Sequence, residues 1–97
     1  MSIIITGEKG TPLKDIINNL GNRIYNSVIF RCKWEENGEQ FDEFFGMCQY
    51  APATGLIPLD HDSYSLNDLF MEYEEVVNPD GSYSLIVWEY GEIKKEA

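Results

Sequence analysis

The sequence predicts an α+β domain: a mainly antiparallel sheet of about four strands, made of two β-hairpins, with one short N-terminal helix packed on one face. Three observations carry this expectation. Asn37-Gly38 lies between two strongly β-forming runs, and an Asn-Gly pair supplies the two φ > 0 residues of a type I′ hairpin turn. Asn78-Pro79-Asp80-Gly81 suits a type I turn with Pro at its second position and Gly closing it, and a β-rich run over 82–90 follows. Leu13, Ile16, Ile17 and Leu20 recur at i, i+3, i+4 and i+7, which is one helical face.

Taken in order, Ile3-Ile4-Ile5 is a β-branched run suited to a short edge strand, and residues 7–10 form a loop. Thr11-Pro12 reads as a helix start, with Thr11 as N-cap and Pro12 at the first helical position. Gly21 is the expected stop for a helix over 12–20. A helix this short is marginal alone and needs a platform for its Leu/Ile stripe. The apolar face of the central hairpin, over 24–50, provides one.

The Asn37-Gly38 turn sets a register for that hairpin. Glu36 faces Glu39, Lys33 faces Asp42, Trp34 faces Phe41, Phe30 faces Phe45 and Val28 faces Met47. Arg31 lies beside Phe44, Ile29 at Gly46 and Tyr25 near Tyr50. In this register Cys32 and Cys48 fall on opposite faces, so both are expected as thiols.

Ala51-Pro52-Ala53-Thr54-Gly55 is a loop, and Leu56-Ile57-Pro58-Leu59 suits an edge strand, because Pro58 argues against a central one. The segment over 65–78 has two readings. Leu66, Leu69, Phe70, Tyr73 and Val77 have helical spacing, and Ser65 with Asp68 resembles a capping box. Residues 70–77 also alternate, and the turn at 78–81 needs a strand before it. The expectation is one helical turn near Leu66–Leu69 and then a strand from about Phe70 to Val77, with a helix through Glu75 as the alternative. Residues 1–97 read as a single domain. No apolar run approaches the ~20 residues of a membrane helix, no basic segment precedes the first apolar run, and a cytoplasmic location is expected.

Charge is the feature that bears on function. The formal net charge is −10, from 17 Asp plus Glu against 7 Lys plus Arg. Between Trp34 and Ile93 there is no Lys or Arg, yet that stretch holds 14 acids. Solubility alone is one explanation. The sharper one is a surface shaped for a basic partner. Glu35, Glu36 and Glu39 project from the hairpin tip with Asp42 behind them, and Glu72, Glu74 and Glu75 lie on the expected second hairpin. Residues i and i+2 of a strand stand about 6.5–7 Å apart on one face. That is close to the spacing of successive phosphates along a nucleic acid strand. These seven residues are the candidate binding set. The same charge repels phosphate, so direct nucleic-acid binding is not expected despite the many aromatics.

No other constellation specifies chemistry. The one histidine, His61, sits between Asp60 and Asp62, but as an EF-hand loop the pattern fails, with Ser65 at the glycine position and Met71 at the final glutamate position. There is no phosphate-binding glycine motif and no marked nucleophile. The expectation is a non-enzymatic protein with no cofactor and no metal, present as a monomer or homodimer.

The segments over 25–34 and 41–46, and then 62–68, resemble small acidic proteins carried by phages and conjugative elements of Gram-positive bacteria. Such elements often carry small acidic inhibitors of host restriction or CRISPR nucleases, so the resemblance implies a nucleic-acid mimic. It transfers no functional residue. The leading expectation is therefore an acidic interaction protein that binds a basic, nucleic-acid-binding protein. An immunity or antitoxin-type partner acting through exposed aromatics, and a small metal- or ligand-binding domain at Asp60-His61-Asp62, are the alternatives.

Overall fold

The Asn37-Gly38 turn forms as its residues require, with φ of 52° and 82°. It joins β3 (Tyr25–Glu36) to β4 (Glu39–Ala51). The computed structural model describes residues 2–5, 10–60 and 64–94, with side chains for 10–60 and 64–91. The other elements are β1 (Ser2–Ile5), β2 (Thr11–Pro12), α1 (Leu13–Asn19), β5 (Gly55–Asp60), β6 (Leu69–Phe70), β7 (Glu72–Val77) and β8 (Tyr83–Lys94).

Both expected hairpins are present, but the sheet is mixed rather than mainly antiparallel and four-stranded. Its order is β1-β8-β3-β4-β5, with β7 also paired to β8. The hairpins β3–β4 and β7–β8 are joined by a parallel ladder from Ser27↔Ser84 to Lys33↔Tyr90. β8 is paired on both edges, by β3 on one and by β7 and β1 on the other, and carries the apolar run Leu85, Ile86, Val87 and Trp88. β5 is an edge strand that carries Pro58, as expected, and β1 pairs with Gly91–Lys94 of β8.

Near the turn the hairpin register matches the expectation through Arg31↔Phe44. It then slips, because Phe45 is an extra residue and Phe30 pairs with Gly46. Such a bulge moves the side chains that follow on one strand to the opposite face, until a second shift between Tyr25 and Val28 restores the expected Tyr25↔Tyr50 pair. Met47 therefore faces Ile29, and Cys48 faces Val28. The expected pairs Phe30–Phe45, Val28–Met47 and Ile29–Gly46 do not form. Cys32 and Cys48 share one face instead of lying on opposite ones. They remain buried free thiols, and the four-residue offset between Val28 and Cys32 separates them by about 13 Å along the strands.

A glycine is required at the slip. Tyr64 stacks on Phe30 at 3.7 Å and 5°, and its ring crosses over Gly46. A Cβ there would meet the Tyr64 hydroxyl and lie 2.7 Å from two ring carbons.

The helix also differs at its start. Thr11 and Pro12 pair with Phe70 and Leu69 as a two-strand bridge, so Thr11 is not the N-cap and Pro12 is not helical. Carbonyls of the neighbouring turn do the capping. Leu13 N–H donates to Asp68 O at 2.9 Å, and Lys14 N–H donates to Leu66 O at 2.9 Å. These bonds satisfy two of the donors that every helix start leaves open. The C-terminus follows the expectation. Gly21 has φ 98°, its N–H reaches Asn18 O, and the Asn22 N–H reaches Ile17 O, which is a Schellman motif.

The strand reading of the ambiguous segment holds. Leu66–Asn67 form a turn closed by Asp68 N–H to Ser65 O, and Ser65 N–H donates to the Asp68 carboxylate at 2.8 Å. The chain then runs as β6 and β7, broken only at Met71. Gly81 closes the second turn with φ 86° and an N–H bond to Asn78 O at 2.9 Å.

The core lies between α1 and one face of the sheet. Leu13, Ile16 and Ile17 are each 0% exposed, against Val28, Phe30, Cys48, Tyr50, Leu85 and Val87. Full burial of three such side chains stabilises by about 5–9 kcal/mol before ordering costs are subtracted.

Candidate interaction surface

The sheet's other face is open among the described residues. Alternation places Ile29, Arg31 and Lys33 of β3 there, beside Ile86, Trp88 and Tyr90 of β8. Asp42, Phe44 and Met47 of β4 complete it on one side, and Glu72 and Glu74 of β7 on the other.

Two polar clusters tie these strands together. Arg31 Nε donates to Asp42 Oδ1 at 2.7 Å, and Trp88 Nε1 reaches the same carboxylate at 3.2–3.3 Å. Glu72 Oε2 accepts from Lys33 Nζ at 3.0 Å and from the Tyr90 hydroxyl at 2.6 Å. Lys33 Nζ also lies 4.4 Å from the Trp88 ring centre. The Tyr90 hydroxyl, and then the Lys33 ammonium, hold the Glu72 carboxyl below its ordinary range. Glu72 in turn raises Lys33 and Tyr90. Both partners of the Lys33–Glu72 pair are about a third exposed or more, at 34% and 43%, so the pair contributes at most about 1 kcal/mol.

A third cluster lies on the covered face. Glu75 accepts from Arg23 at 2.9 Å and from the buried Tyr25 hydroxyl at 2.7 Å. Arg23 also stacks 4.6 Å over the Tyr83 ring. Burial, reinforced by Glu75, pushes the Tyr25 hydroxyl well up.

The seven candidate acids thus separate into two groups. Asp42, Glu72 and Glu75 each answer one of the chain's cations within the fold. Glu75 faces away from Glu72 and Glu74, because the latter two oppose Trp88 and Ile86 whereas Glu75 opposes Leu85. β7 is an edge strand, and charge on an edge strand discourages pairing with other chains. Glu74 is exposed on the open face. Glu35, Glu36 and Glu39 sit at the hairpin tip, beyond the last rung of the parallel ladder at Lys33↔Tyr90. They enter no ion pair among the described residues.

The sequence offers exposed aromatics as anchors without naming which ones, and it does not bring them together with the cations. Their alternation was visible on each strand, but only the pairing of β3 with β8 brings them together. On that face Phe44 and Tyr90 are 43% and 42% exposed, whereas Tyr73, 45% exposed, opposes Val87 and belongs to the other face.

Elsewhere the chemistry is quiet. Burial, with Glu89, Asp42 and Glu43 nearby, pushes the Cys32 thiol up to about 11, and burial raises Cys48. Neither is an activated nucleophile. His61 and Asp62 of the metal alternative lie outside the described residues. No helix among the described residues is long and apolar enough to cross a membrane. Comparisons with protein-family models, curated proteins and solved structures found no match to this chain.

Proposed function

We propose that this protein is a non-enzymatic interaction module that binds a basic, nucleic-acid-binding protein through the carboxylates of its β3–β4 hairpin tip. The observation that supports it is the tip's position. Glu35, Glu36 and Glu39 stand beyond the parallel ladder and outside the ion pairs that occupy Asp42, Glu72 and Glu75. Charge that does not serve the fold is available to a partner. A rigid carboxylate-bearing hairpin can enter a Lys/Arg-lined channel, and long-range attraction speeds its encounter. The resemblance to acidic proteins of mobile elements favours a nuclease as that partner.

The test is capture from host lysate with wild type and with a Glu35→Gln, Glu36→Gln, Glu39→Gln variant, washed at low and then high salt. A basic nucleic-acid-binding protein should be retained, released by salt and lost in the variant. A partner that binds the variant equally well refutes the tip, and no retained partner refutes the reading. The exposure of Phe44 and Tyr90 on the open face supports a second reading, an immunity or antitoxin-type protein that binds one toxin through aromatic anchors. That complex would survive the high-salt wash and would be lost in a Phe44→Ser variant.

A further inference from the structure

The parallel ladder ends at Lys33↔Tyr90, but both strands run on, β3 to Glu36 and β8 to Lys94. Where they part, an open cleft of about 650 Å³ is bordered by Lys33, Trp34, Glu35, Gln40, Asp42 and Tyr90, among others. That volume is within the range of ~300–1,000 Å³ typical of small-ligand sites.

Its lining sets carboxylate acceptors beside an aromatic surface, and its uncommitted donors are the Gln40 amide and the buried, partnerless indole N–H of Trp34. The Lys33 ammonium is committed to Glu72 at 3.0 Å, and the Tyr90 hydroxyl donates to the same oxygen at 2.6 Å. Asp42 accepts from Arg31 and Trp88, but its side chain is 39% exposed. Glu35 enters no ion pair among the described residues, and it pairs across the hairpin with Gln40. The Tyr90 residue is 42% exposed, so its ring is open to a ligand while its hydroxyl is held. Anions meet the carboxylates of Glu35 and Asp42. A flat cation with several N–H groups meets acceptors and an aromatic surface.

We propose that this cleft receives an arginine side chain of the basic partner, an inference that rests on the acidic-interaction reading above. The guanidinium forks onto the Glu35 carboxylate and stacks on Tyr90. A lysine ammonium, a compact and strongly hydrated point charge, gains less from either.

The test uses fluorescence anisotropy with labelled oligoarginine and oligolysine peptides of equal length and charge. Wild type should prefer oligoarginine by roughly five- to tenfold, the size of one cation–π contact with a bidentate bond. Tyr90→Leu should bring the preference close to unity while oligolysine binding stays within about twofold, since the tip charges are intact. Tyr90→Phe, which keeps the ring, should retain the preference and guards against a folding defect in Tyr90→Leu. Equal affinity for both peptides in wild type, or a preference that survives Tyr90→Leu, overturns the cleft. Salt-sensitive binding lost in the triple tip variant would still leave the acidic reading standing. If neither peptide binds, both fall.

Discussion

Replacing Gly46 by Ala tests the packing that decides the sheet's register. The new Cβ would fall on the Tyr64 hydroxyl and lie 2.7 Å from Cε2 and Cζ. An ordinary contact begins near 3.4 Å, so the ring must retreat by at least 0.7 Å. It cannot do so freely, because Phe30 stacks on it at 3.7 Å. Forcing a methyl into such a site costs about 1–3 kcal/mol, and losing the aromatic stack adds about 0.5–1.5 kcal/mol. The lower backbone entropy of Ala in a strand returns about 0.5–1 kcal/mol. The expected net loss is about 2 kcal/mol, or roughly 8–16 °C in Tm for a domain of this size. In a Tyr64→Ala background the obstruction is gone, and the same substitution should be neutral or stabilising by up to about 1 kcal/mol. Urea unfolding followed by the fluorescence of Trp34 and Trp88 gives all four corners of the cycle. Equal costs of Gly46→Ala in both backgrounds would refute the claim that Tyr64 dictates a glycine there.

Four further outcomes are expected. Glu89→Gln should stabilise at neutral pH: burial, then the Asp68 charge, raises the Glu89 carboxyl, so the folded state loses stability as pH rises from the ordinary 4.5 through the raised value. Urea midpoints should show that gain vanish in acid below the ordinary range, and a gain that persists there would sink the assignment. Tyr25→Phe removes the hydroxyl bond to Glu75 and should cost about 1–2 kcal/mol by the same assay. A Lys33→Met, Glu72→Gln double-mutant cycle should give a coupling below about 1 kcal/mol that molar salt erases. Cys32 and Cys48 should resist a thiol reagent in the native protein and react fully in denaturant, because both are buried and their thiols are pushed up; labelling without unfolding would contradict their burial.

What the sequence discloses is local. The turns at Asn37-Gly38 and Asn78–Gly81, the Leu/Ile stripe of α1 and the Gly21 stop are each dictated within a few residues, and each is found. The slip at Phe45 was harder to read, although a glycine inside a strand, here Gly46, is the ordinary mark of a bulge or a close approach. Thr11 departs from its expected cap role because a partner 59 positions away, the Phe70 backbone, pairs with it instead. The parallel pairing of β3 with β8 is also non-local: nothing in either run names the other. The candidate surface has the same division. The tip acids follow from the turn that presents them, and the Arg31–Asp42 pair lies within the same hairpin, whereas the pairing of Glu72 and Glu75 with Lys33 and Arg23 depends on contacts 39 and 52 positions apart.

The seam between β3 and β8 also sets an order of events when the chain is made. Ser27 and Ser84, whose side chains meet at 3.0 Å, are 57 positions apart. The first hairpin can close as soon as Ala51 emerges, but one edge of β3 then waits for β8. At ~5–20 residues per second of synthesis that wait lasts a few seconds. During it a long, partly apolar strand edge is exposed, the condition under which nascent chains pair with one another. The carboxylates of Glu35, Glu36 and Glu39 stand at the end of that waiting edge. Like charges at the tip of every copy oppose the pairing of nascent hairpins until the seam closes, so these acids also bear on the molecule before it is complete.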